Sequence, residues 1–153
     1  MLNQMTILGW ATPLLYPLFV LLLPIGMPLG WQLLLAFGMG VSVDAFAQTG
    51  GMHALALVFM TFLRPAILGV ITPKEGYQPD DQPTIAGLGL SWFLVYAGLG
   101  FFVHHLVFYL VEILSLVHWQ HMLFRTVFSW VASLLLAILA LYVTYPKAGK
   151  RTL

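Results

Sequence analysis

Residues 37–65 read "FGMGVSVDAFAQTGGMHALALVFMTFLRP", and this stretch decides the fold. Two apolar runs meet at Gly50-Gly51, and glycine reaches the left-handed backbone conformations that a sharp turn demands. Asp44 and His53 stand on either side of that turn, set among hydrocarbon side chains. A charge at the middle of a membrane costs about 2.5–3.5 kcal/mol on insertion scales. Asp44 therefore needs either a partner or a job.

Composition supports the membrane reading. The chain has 153 residues, of which 61% are hydrophobic and only 7% are Asp, Glu, Lys or Arg. Soluble domains carry roughly 25% charged residues, so this surface must face lipid. Cysteine is absent, which excludes disulfides, thiolate nucleophiles and Cys-type zinc sites. A net charge of +1 leaves no nucleic-acid footprint. The opening "MLNQMTILGW" has no basic residue and no small-residue cleavage site after its apolar run, so no cleaved signal peptide is expected.

Five apolar segments fall at about residues 6–23, 31–48, 52–71, 88–117 and 120–145. Each is close to or longer than the roughly 20 residues of a transmembrane helix, and all exceed the roughly 10 alternating residues of a barrel strand. The expected fold is an all-α integral membrane protein, a compact bundle of five transmembrane helices forming one domain. The fourth segment is long enough for one projecting helix or two short ones. The positive-inside rule places Lys147, Lys150 and Arg151 in the cytoplasm. With a single fourth helix Lys74 falls on the same side. The expectation is thus a cytoplasmic loop at 72–86, a cytoplasmic tail at 146–153 and a periplasmic N-terminus.

Counting at about 1.5 Å per residue sorts the intramembrane polar residues into two layers. Asp44, His53, Glu112 and Arg125 fall in an outer layer, and Arg64, His104 and His105 in an inner one. Glu112 and Arg125 lie symmetrically about their hairpin, which predicts a salt bridge. Asp44 has two candidate partners, His53 and Arg125. Arg64 precedes Pro65, whose ring frees a carbonyl one turn earlier. The arginine is expected to bond such carbonyls or, on the favoured reading, to snorkel toward the cytoplasmic headgroups. His105 and Glu112 lie two turns apart, too far to share one ion. His118 and His121 have no acidic third ligand nearby in sequence. No metal and no cofactor is expected. Ala36, Gly40 and Asp44 recur every four residues, which lets a second helix backbone approach. Trp31, Trp92, Trp119 and Tyr145 fit an interfacial aromatic belt. No catalytic constellation and no phosphate-cradling loop is present, so the chain reads as a non-enzyme.

The order of these features resembles the rod shape-determining membrane protein family MreD. That pattern is a glycine, an aspartate four residues on, a glycine turn and a helix led by a small residue. Gly40, Asp44, Gly51 and Ala54 stand at those positions here, and "YPLFVLLLP", "FLRP" and "VHHLVFYLVE" look like the Bacteroidota branch. The resemblance covers nearly the whole chain. It implies a bacterial inner-membrane protein of the cell-wall elongation (Rod) machinery with no catalysis of its own. The implied partners are an MreC-like bitopic protein, RodA and a class B penicillin-binding transpeptidase. It also implies a bundle resembling the S components of energy-coupling-factor transporters, here with the first of six helices missing. A vitamin-like small-molecule-binding transporter subunit is the alternative that this likeness allows, and a lipid-linked precursor binder has only Arg64 to invite it. The candidate structural and partner-binding residues are Gly40, Asp44, Gly50, Gly51, His53, Arg64, Pro65, His104, His105, Glu112 and Arg125.

Overall fold

The computed structural model describes residues 13–78, 81–113 and 119–144. Its elements in chain order are α1 (Pro17–Leu21), α2 (Leu29–Ala47), α3 (Met52–Val70), α4 (Ile85–Leu88), α5 (Leu90–Ile113) and α6 (Trp119–Thr144). Among the described residues there is no strand, and four helices are long and apolar enough to cross a membrane. Helix is what hydrocarbon demands, because no water is present to satisfy an open backbone. The 24 residues of α5 give about 36 Å of helix. Over its described part, to Ile113, the fourth apolar segment is therefore one long helix, preceded by the single turn of α4. The Thr84 hydroxyl caps α4 by accepting from Gly87 N, and Gly89, at φ 90°, separates α4 from α5.

Each long helix packs against the next, in the order α2, α3, α5, α6. Half of the α3 and α5 spans is buried, against 22% for α2 and 28% for α6. α3 and α5 are thus the centre, and α2 and α6 the flanks. The flanks turn large apolar side chains outward, among them Phe37, Phe46, Phe128, Leu135 and Val143. In water such a surface would associate; here it matches acyl chains. Around the centre lies a core of Leu18, Leu21, Leu57, Met60, Phe93 and Phe101.

The first apolar segment differs from the sequence expectation. Over its described part, 13–23, the chain forms only the five-residue α1, flanked by turns and irregular backbone. Pro13, Pro17 and Pro24 each lack an N–H, and Pro17 fits only the first helical turn. The segment is nonetheless buried against α3, α5 and α2. Leu21 rests on Gly100 of α5, where an added Cβ would lie 3.2 Å from Leu21 Cδ1. The remainder of this segment, and the tail lysines and arginine, lie outside the described residues.

Candidate functional site

The α2–α3 turn answers the question that Asp44 poses. Gln48, Gly50 and Gly51 adopt φ of 56°, 62° and 98° and reverse the chain within a few residues. One turn back along α2, Gly40 faces Ala54 so closely that an added Cβ would sit 2.8 Å from Ala54 N and 3.0 Å from its Cβ. That approach brings Asp44 over the first turn of α3. Its carboxylate accepts from the backbone N–H of His53 at 3.0 Å and of Ala54 at 2.9 Å, and from the Thr49 hydroxyl at 2.5 Å. The first N–H groups of a helix have no partner within it, and the helix dipole favours an anion there. Asp44 is therefore the cap of the neighbouring helix. Of the two expected partners, His53 is met across the turn, through its backbone N–H instead of its ring, and Arg125 pairs elsewhere. The Ala36–Gly40–Asp44 stripe supplies the whole buried face of α2 together with Gln32.

The His53 ring turns to the first segment. Tyr16 Oη lies 2.7 Å from His53 Nδ1 and 2.6 Å from His104 Nε2. His105 places Nδ1 2.8 Å from Phe101 O and Nε2 3.2 Å from Ser133 Oγ, and that hydroxyl accepts from Leu14 N. His104 and His105 thus join the cluster that begins at the turn, which corrects their assignment to an inner layer with Arg64. Depth counting places backbones, and the reach of Tyr16 between helices is invisible to it.

Arg64 is buried, with 1% of its surface exposed. Nε donates to Tyr96 Oη at 2.6 Å, Nη1 to Gln32 Oε1 at 2.6 Å, and Nη2 to the carbonyl of Leu23. Tyr96 Oη in turn donates to Leu21 O at 2.8 Å. Arg64 therefore does not snorkel, and the carbonyl it meets belongs to the first segment, not to the turn preceding Pro65. The planar guanidinium fork suits this task because it serves acceptors in several fixed directions. Among the described residues Arg64 has no carboxylate partner. α3 continues through Pro65 to Val70.

Glu112 and Arg125 approach to 3.1 Å, joining α5 to α6 as their spacing suggests. This is a charge contact without aligned hydrogen-bond geometry at Glu112 Oε2. The Arg125 guanidinium also lies 4.9 Å from the Tyr109 ring centroid. Among the described residues no group of three metal-ligating side chains converges. His118 and the side chain of His121 lie outside the description.

Four partners carry this architecture without having stood out in the sequence: Tyr16, Gln32, Tyr96 and Ser133. A tyrosine or glutamine inside an apolar run is the available signal, since such a group needs a hydrogen bond once buried. Together, the fold and these side chains define a multi-pass helical membrane protein whose buried polar groups join one helix to another. Comparison with protein-family models, with curated proteins and with solved structures finds no match for the chain.

Proposed function

We propose that this chain is a non-enzymatic scaffold of the cell-wall elongation machinery in the bacterial inner membrane, with the MreD-like role that its sequence resemblance implies. One observation carries the reading: the four residues of the resemblance, Gly40, Asp44, Gly51 and Ala54, form a single mechanical unit. Gly40 admits Ala54, Asp44 caps the helix whose first turn holds Ala54, and Gly51 makes the turn. Beside this corner Phe46 stands 92% exposed. On this reading an MreC-like membrane segment docks at that end, with RodA and its transpeptidase as further members of the assembly. On the same reading the first segment packs against the four long helices of an S-component-like bundle, with the N-terminus in the periplasm and the C-terminus in the cytoplasm. The transporter-subunit alternative needs Arg64, His104 and His105 to face a ligand. These side chains instead meet Gln32, Tyr96, Tyr16, Ser133 and the chain's own carbonyls.

Co-purification of the MreC-like protein from native membranes under mild detergent tests the proposal. Retention by the wild type and its loss in Phe46→Ala, with an unchanged helical spectrum, is the expected pattern. A wild-type protein that retains no such partner overturns it.

A further inference from the structure

The Glu112–Arg125 pair stands at a boundary. Glu112 is the last residue of the apolar span of α5, and Arg125 is the third of the span of α6. The His53–Phe108 ring contact, at 4.6 Å between centroids, puts this end of α5 close to the level of the α2–α3 turn. Hydrocarbon therefore gives way to phospholipid headgroups at about the height of the pair. Both side chains stay accessible there, Arg125 31% and Glu112 24% exposed. Leu110, Phe124 and Phe128 add exposed apolar surface on the same two helices, suited to acyl chains. The arginine is also held ready. Its guanidinium lies over the Tyr109 ring, and Tyr109 Oη shares a hydrogen bond with Ser129 Oγ at 2.7 Å. Among the described residues Glu112 is its one polar partner. A guanidinium carries five N–H donors and a carboxylate about four acceptor sites, so a single contact leaves capacity on both.

We propose that this pair binds the headgroup of a phosphatidylethanolamine molecule, with the lipid phosphate on Arg125 and the lipid ammonium on Glu112. Charge complementarity selects that lipid. A lone arginine at a membrane surface favours phosphate-bearing headgroups, above all those with net negative charge. Here a carboxylate 3.1 Å from the guanidinium cancels the net charge and repels a second anion. A headgroup with one charge of each sign, set in the opposite order, meets attraction at both ends. The planar guanidinium fork matches two phosphate oxygens at once. A primary ammonium brings three N–H donors to Glu112, whereas the quaternary ammonium of phosphatidylcholine brings none. Arg64 does not compete for such a ligand, because it is 1% exposed and engaged by Tyr96, Gln32 and Leu23 O.

The experiment places the full chain, labelled with ¹⁵N-arginine, in phosphatidylcholine nanodiscs. Phosphatidylethanolamine or phosphatidylglycerol of the same acyl composition then replaces part of the host lipid, and NMR follows the guanidinium signals. One elementary charge at a headgroup surface changes binding by about fivefold. The Arg125 signal should therefore shift at an about fivefold lower mole fraction of phosphatidylethanolamine than of phosphatidylglycerol. In Glu112→Gln the repelling charge is gone and the ammonium has lost its counter-charge, so the order of the two lipids should reverse. The buried Arg64 signal should follow neither lipid. Equal response of Arg125 to both lipids in the wild type overturns the proposal whether or not the variant folds. So does a wild-type Arg125 signal that follows neither lipid, which would leave the pair as a tie between α5 and α6 alone. A folded Glu112→Gln that still prefers phosphatidylethanolamine also overturns it.

Discussion

Replacing Gly40 with alanine tests the corner that couples α2 to α3. The new Cβ would lie 2.8 Å from Ala54 N and 3.0 Å from Ala54 Cβ, where comfortable carbon contacts begin near 3.5 Å. Both obstacles belong to a helix backbone and its first side-chain atom, so no rotamer change relieves them and the helices must separate. Asp44 sits one turn further along α2, with its two backbone hydrogen bonds at 3.0 and 2.9 Å. A separation approaching 1 Å takes both past the useful range of such bonds. Overpacking costs about 1–3 kcal/mol and loss of a helix cap about 0.5–2 kcal/mol. The expected destabilisation is therefore about 1.5–5 kcal/mol by the same two terms. The assay is reversible denaturant unfolding in micelles, followed by far-ultraviolet circular dichroism. Gly38→Ala is the matched control, because a Cβ there meets nothing within 4 Å. It should be neutral or stabilising by up to about 1 kcal/mol through helix propensity. Equal stability of the two variants would refute the close-approach argument.

Three further outcomes are expected. Gly51→Ala forces an L-residue to φ 98° and should lose about 1–3 kcal/mol of stability, read by the same unfolding assay. Arg64→Lys replaces a fork serving Tyr96, Gln32 and Leu23 O with a single ammonium. It should cost about 1–3 kcal/mol, the penalty for a buried acceptor left unmade, and should raise protease sensitivity near residues 21–28. Glu112→Gln breaks a partly exposed ion pair and should change stability by no more than about 1 kcal/mol.

The long helices could be read from the sequence because lipid imposes length and apolarity together, leaving little freedom in residues 29–47 or 52–70. The Gly50-Gly51 turn could also be read, since few residues other than glycine accept those φ values. The Glu112–Arg125 pairing follows from symmetry about a hairpin. Asp44 was legible as a problem but not in its solution, because its partners are backbone amides, which every residue carries and no letter marks. Arg64 misleads through its neighbour Pro65, although its acceptors come from three distant places in the chain. Hydropathy also read the first segment as helix like the others. Its backbone is completed instead by Ser133, Tyr96 and Arg64, and apolar content carries no record of such tertiary partners.

At the centre of the account stands a buried anion of one helix capping the next. The most direct measurement is the NMR signal and hydrogen exchange of the His53 and Ala54 backbone amides in the wild type and in Asp44→Ala, which removes both acceptor oxygens. Both amides should shift and exchange markedly faster in the variant, while those of Leu57 and Met60 keep their wild-type behaviour. Unaltered His53 and Ala54 amides would contradict the capping role and, with it, the reading of why a charge stands there.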